Sequence, residues 1–142
     1  MSVNDSKEIY HQWVKAWNED VSLLDEIATA DCTVHQARTD GKYSYEQIGP
    51  EALKGIITDG KAFFTDVKMD LEVGPITDGN YVSARWKFTG IYDGNMPGAQ
   101  AESGKKISFY GMDLFLIEDG KIQEYWVSSD GVDLMGQLGI FK

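Results

Sequence analysis

The amino-acid sequence predicts an α+β domain in which helices come first and a curved antiparallel sheet follows. Two changes of pattern predict it. Apolar residues recur at helical spacing early in the chain, at Ile9, Tyr10, Trp13, Val14 and Trp17 and again at Leu53, Ile56, Ile57, Phe63 and Phe64. After Asp66 the period falls to two, with Val67, Met69, Leu71 and Val73 alternating with Lys68, Asp70 and Glu72, as in a half-buried strand. No repeat, linker or change of composition divides the 142 residues, so the chain from 1 to 142 reads as one domain that can bury a true core. Helices followed by a meander place the helices against one face of the sheet.

Taken in order, Asp5-x-x-Glu8 is spelled as a capping box ahead of a first helix over roughly residues 6–18. Ser22-x-x-Asp25 opens a second, shorter helix before Ile27 and Ala28, and Cys32-Thr33-Val34-His35-Gln36 reads as a short β-branched strand. Gly49-Pro50 starts a third helix, since proline fits a first turn where its missing N–H has no partner; its stripe carries it towards Thr65. Thr77-Asp78-Gly79-Asn80 turns the first long strand into a second, in which Val82, Ala84, Trp86 and Phe88 alternate with Ser83, Arg85, Lys87 and Thr89. Asp93 to Ser103, rich in Gly and Ala, is the one long irregular loop, a length at which lids and binding elements are common. Val132 to Leu138 forms a short closing helix.

The last hairpin carries the most chemistry. Asp119-Gly120 suits a type I′ turn, whose two central residues both need positive φ. A two-residue turn there sets Phe115 opposite Glu124, Asp113 opposite Trp126 and Phe109 opposite Asp130. Asp113, Phe115, Ile117, Ile122, Glu124, Trp126 and Asp130 then share one face. The functional reading of this hairpin requires Asp113 and Trp126 to lie together. The opposite face, with Tyr110, Met112, Leu114, Leu116, Tyr125 and Val127, is too apolar to be left in water, and a second copy of the chain covering it is the simplest arrangement.

The formal net charge of −10 and the scattered Lys and Arg argue against nucleic acid, which needs a clustered cationic footprint. No apolar run approaches the roughly 20 residues that span a bilayer. One cysteine, Cys32, and a polar start without a signal-peptide pattern point to a reducing, cytoplasmic setting. Two histidines without Cys or carboxylate companions at ligand spacing imply no metal. No phosphate-binding glycine loop or nucleophile elbow is present, so no cofactor is implied.

Asp113 is the first candidate acid/base, because it interrupts Met112, Leu114 and Phe115, and a lone acid in an apolar strand is costly unless satisfied or used. The alternative is an aspartate that accepts backbone or indole hydrogen bonds for structure alone. Asp130 is a second candidate, with capping of the closing helix as its structural alternative. His35, the one histidine on a predicted strand, is a possible proton shuttle or a satisfied polar group. Glu124, nearer the turn, reads as half of an ion pair. Trp17, Trp86, Tyr92, Phe109 and Trp126 are candidates to line a pocket for a small hydrophobic or polycyclic ligand; packing as plain core is the alternative.

Gly90-Ile91-Tyr92-Asp93-Gly94, Pro97, Gly104-Lys105, Gly111-Met112-Asp113, Asp119-Gly120-Lys121-Ile122, Glu124, Trp126, Asp130 and Gln137-Leu138-Gly139 together resemble the SnoaL-like polyketide cyclase family of the nuclear-transport-factor-2-like superfamily. The resemblance implies a cone-shaped domain, N-terminal helices enclosing a pocket, a homodimer through the sheet, and a cofactor-independent aldol or isomerase-type reaction with a C-terminal-strand aspartate as acid/base. Members that bind without catalysis are the alternative. Many family members carry histidine where Tyr92 and Tyr125 stand here. Those two phenols in place of imidazoles favour the non-catalytic alternative.

Overall fold

The computed structural model describes residues 3–35 and 48–140, with side chains of the first helix from Ser6 onwards. Gln36, expected to end a strand, and the Asp5 side chain of the capping box lie outside the described residues. Helix α1 (Val3–Asn18) buries Tyr10, Trp13, Ala16 and Trp17, the apolar stripe of the sequence. A 3₁₀ turn (Val21–Leu23) follows, capped by the Asp20 carboxylate, which accepts from the Ser22 N–H. Ser22 was expected to begin this second helix. It instead donates its hydroxyl to Asp20, 2.6 Å away, because a carboxylate accepts from backbone and hydroxyl together. Helix α2 (Leu24–Ile27) is a single turn.

Strand β1 (Ala28–His35) leads, by way of residues outside the description, to helix α3 (Pro50–Lys61), which begins at proline as expected. The helix stops short of Phe63 and Phe64; Phe64 already begins strand β2 (Phe64–Asp78). Strands β3 (Tyr81–Tyr92), β4 (Lys106–Glu118) and β5 (Lys121–Ser129) complete one sheet in the order β1-β5-β4-β3-β2. All pairings are antiparallel except β1 with β5. Helix α4 (Gly131–Leu138) closes the described chain.

The register between β2 and β3 shifts three times along its length. Each extra residue bends the strand and increases its twist, so the sheet curves around α1 and leaves Val73, expected to face inwards, exposed. Side-chain amides occupy backbone groups at two places where a strand lacks a neighbour. Asn18 donates to the Met69 carbonyl and accepts from its N–H at 2.9 and 2.8 Å, occupying backbone groups of edge strand β2 that would otherwise pair with another chain. Gln137 makes the same two-way contact with Ser108, at 2.7 and 3.3 Å, where β4 extends beyond the last residue of β5.

On the concave side, aromatic rings fill the space between α1 and the sheet. Trp17, Phe88 and Phe109 run along one half, and Tyr10, Trp13, Phe115 and Tyr125 along the other. Side chains of this size each remove a large apolar area from water when buried. Among the described residues no helix is long and apolar enough to cross a membrane.

Candidate active site

The Asp119-Gly120 turn forms as the sequence predicts, with φ of 52° and 77° and Glu118 opposite Lys121. The register does not survive it. Ile117 pairs with Ile122, but Leu116 pairs with Glu124, so Gln123 is an extra residue that bulges β5. One residue of slip sends every later side chain to the other face. Asp113 therefore lies opposite Val127, and Leu114 opposite Trp126. Trp126 and Glu124 face outwards, away from Asp113, and the shared face expected of them does not exist. Tyr125 and Val127, expected outside, point inwards in their place.

The case for Asp113 rests on its own neighbours. It is 2% exposed, on the concave side. The Tyr125 hydroxyl donates to Oδ1 at 2.5 Å. Tyr10 donates its hydroxyl and Trp13 its indole N–H to Oδ2, at 2.8 and 3.2 Å. Three elements of the fold bring this about. Tyr10 and Trp13 stand three apart on α1 and so project together; β4 supplies the acid, and the β5 bulge turns Tyr125 to meet it. Burial pushes the carboxyl up to about 6, and the hydrogen bonds from Tyr125, Tyr10 and Trp13, with the nearby Trp86 indole N–H, oppose that rise. Burial and the adjacent carboxylate push both phenols well above their ordinary range, so they remain donors at neutral pH.

Trp86 stands beside this cluster. Its indole lies over Gly111, where a Cβ would come within 2.1 Å of the ring, and Phe109 packs edge-on against it at 5.6 Å. The indole N–H lowers the Asp113 pKa, yet it has no partner of hydrogen-bond geometry among the described residues. Trp17 is likewise buried with an unpaired indole N–H. Tyr92 is buried, but its hydroxyl is taken by the backbone of Met96, whose N–H donates to it at 3.0 Å.

The other candidates are elsewhere. His35 lies on the outer face, where Nε2 and Glu124 Oε2 are 2.6 Å apart and the imidazole stacks on Trp126 at 5.3 Å. Glu124 thus has a side-chain partner in His35, as the sequence suggests. Asp130 is exposed at the N-cap position of α4 without a side-chain capping bond. Asp113, Asp130 and His35 do not converge. Trp126 leaves the set of inward aromatics, whereas Trp17, Trp86, Tyr92 and Phe109 remain in it. The indole donor expected of Asp113 is Trp13, whereas the phenols of Tyr10 and Tyr125 are the neighbours that sequence reasoning missed. The available signal was chemical: an acid inside an apolar strand needs donors, and only Tyr and Trp bring them on apolar bodies.

Cys32 is fully buried and pushed up to about 12 by burial, Asp31 and Glu124, which leaves no reactive thiolate. A surface depression of about 440 Å³, lined by Ile48, Glu51, Lys54, Gly55, Thr58 and Asp59, shares no residue with the Asp113 cluster. Among the described residues no three His, Cys, Asp or Glu side chains could hold a metal ion together.

The description of the SnoaL-like polyketide cyclase family matches residues 7–138. No curated sequence relative matches the chain. Among solved structures, TsrD from Streptomyces laurentii is 25% identical over 99% of both chains, with a TM-score of 0.81. A candidate polyketide cyclase from Bacillus cereus ATCC 10987 is 23% identical over 100% of this chain and 87% of its own, with a TM-score of 0.79. A protein with a ketosteroid isomerase-like fold from Catenulispora acidiphila, in complex with trimethylamine, superposes with a TM-score of 0.72 at 18% identity, covering 94% of both chains.

Proposed function

Because the chain belongs to the SnoaL-like polyketide cyclase family, we propose that it is a cofactor-independent acid/base enzyme of cyclase or isomerase type, acting on a cyclic or polyketide-like carbonyl compound with Asp113 as its proton-transfer group. One observation carries this reading. A carboxyl with a pKa of about 6, held between phenols that keep their protons, matches what proton removal beside a carbonyl requires. The carboxylate takes a proton from carbon. The electron pair moves onto the carbonyl oxygen, where a phenolic O–H stabilises the enolate. In a ring closure the enolate carbon then attacks a second carbonyl of the same molecule, and the new alkoxide recovers the proton from Asp113.

A second reading has its own support. Both Asp113 oxygens are satisfied and the group is 2% exposed, which suits a purely structural anchor in a protein that binds without catalysis. Asp113→Asn separates the two, with α-proton exchange of a bicyclic aromatic ketone such as 1-tetralone as the assay. Under the acid/base reading the folded variant loses on the order of 10²- to 10⁴-fold in rate. Exchange at the wild-type rate assigns Asp113 to structure alone.

We further propose that the outer sheet face joins two copies of the chain. The bulge changes the patch from the expected set: Tyr110, Met112, Leu114 and Leu116 are joined by Trp126 and by the exposed Val73, Ile76 and Tyr81, while Tyr125 and Val127 leave it. A sheet face this apolar is suited to an isologous contact. Sedimentation equilibrium at micromolar concentration should give a dimer, and a monomer there refutes it. A cytoplasmic setting fits the single buried thiol.

A further inference from the structure

Strand β5 ends at Ser129, opposite Gly111, so β4 from Lys106 to Tyr110 has no strand neighbour on that side. Helix α4 takes the place of one. Asp130 donates its N–H to the Tyr110 carbonyl at 2.9 Å, and the Gln137 amide pairs with both backbone groups of Ser108. The loop between β3 and β4 is tied to α4 in turn. The N–H groups of Gln100 and Ala101 both reach the Leu138 carbonyl at 3.0 Å, and Lys105 Nζ reaches the Gln137 carbonyl at 2.6 Å. Loop and helix are thus bonded to each other; of their undersides Leu138 is buried in the core, whereas Met96, Ala99, Ala101, Leu134 and Ile140 are only partly buried against it.

The Met96 N–H donates to the Tyr92 hydroxyl at 3.0 Å and the Gly104 N–H to the Tyr92 carbonyl at 2.7 Å, so the unit is anchored at these points, but its helix is intrinsically weak. Helix α4 has eight residues, includes Gly131 and Gly136, and lacks a side-chain N-cap bond; so short a helix depends on its packing. Glycines of positive φ stand at its end, Gly139, and near both ends of the loop, Gly94 and Gly104. They are positions where the backbone can turn at low cost.

The anchorage of this unit on β4 lies close to Asp113 along the strand. Tyr110, where α4 is anchored, is three residues from Asp113, roughly 10 Å of strand. Between them Gly111 carries no side chain, and the atoms nearest its missing Cβ belong to the Trp86 indole, whose N–H is unpaired. On the opposite side Asp113 is covered by Tyr10 and Trp13 of α1.

We propose that α4 and the loop from 93 to 105 open together as a hinged cap, uncovering a passage past Trp86 to Asp113. Its role as the ligand's way in rests on the acid/base reading of Asp113; the hinged opening itself does not.

Hydrogen exchange by NMR on the full chain, in increasing sub-denaturing urea, tests the proposal through the indole protons. The Trp86 indole N–H and the amides of Gln100 and Ala101 should exchange through one shared opening, more frequent than global unfolding. The Trp13 indole N–H, bonded to Asp113 beneath α1, should exchange more slowly, with the core amides of β4. Gln137→Ala removes both bonds to Ser108 and should speed the first three protons about tenfold together, leaving Trp13 unchanged. Trp86 exchanging with Trp13, or independently of Gln100 and Ala101, overturns the cap. A shared opening together with undiminished 1-tetralone exchange in Asp113→Asn overturns the acid/base reading and leaves the hinged motion standing.

Discussion

Replacing Asp113 by Asn should make the protein more stable at neutral pH. The carboxyl moves from an ordinary 3.8 to about 6 on folding, chiefly through burial, so the folded state holds a proton that the unfolded chain has already released. Stability from such a group is complete below about pH 4 and is lost as pH rises through about 6. A shift of about two units corresponds to about 3 kcal/mol. Asn is neutral at every pH, is nearly the shape of the protonated acid, and presents both a donor and an acceptor to Tyr10, Trp13 and Tyr125. Wild type and Asp113→Asn should therefore unfold alike near pH 4 and separate by about 3 kcal/mol at pH 7, the variant being the more stable. Urea unfolding at half-unit steps of pH reads this directly. With a slope of about 2 kcal/mol per molar, typical of a domain this size, the midpoints part by roughly 1.5 M. Other titrating groups contribute equally to both curves and cancel. Curves that stay parallel from pH 4 to 7 would refute the reasoning, because the carboxyl would then not change its proton affinity on folding.

Tyr125→Phe removes the largest of the hydrogen bonds that favour the Asp113 carboxylate, so it should move the stability transition above pH 6 and cost about 1.5–3 kcal/mol at pH 7, the usual worth of a bond to a charged group; an unchanged pH profile contradicts this. Gly111→Ala forces a methyl to within 2.1 Å of the Trp86 ring and should destabilise by about 1–3 kcal/mol through overpacking, measured as a fall in melting temperature of several degrees. Cys32, fully buried and pushed up to about 12, should react with an aromatic disulfide reagent only as fast as the protein unfolds; rapid reaction of the native protein would show the thiol to be accessible.

The order of elements was legible because each carries its own period. The stripe of Tyr10, Trp13 and Trp17 and the alternation of Val82, Ala84, Trp86 and Phe88 are local signals. Asp113 was legible for a related reason: a charge between Met112 and Leu114 conflicts with its strand, and such a conflict demands a partner or a use. Gln123 was not. Nothing in Lys121-Ile122-Gln123-Glu124 marks a bulge, and one unrecognised residue reversed the faces assigned to Glu124, Tyr125, Trp126 and Val127. Val73 was misplaced by the same kind of slip in β2. Tyr10 and Trp13 were hidden by distance along the chain, since they meet Asp113 from about a hundred residues away and only tertiary packing joins them. His35 followed from the reversed face, because its partners Glu124 and Trp126 went outwards with it.

Catalysis by Asp113 requires that it exchange its proton near neutral pH from inside the fold. Selective ¹³C labelling of aspartate and an NMR titration of the Asp113 Cγ, assigned by comparison with Asp113→Asn, measures this without substrate. The midpoint should lie near the value of about 6 set by burial against its hydrogen bonds. A midpoint at or below 3.8, the ordinary aspartate value, would contradict it, because the phenols and the indole would then hold Asp113 as a permanent carboxylate with no proton to give.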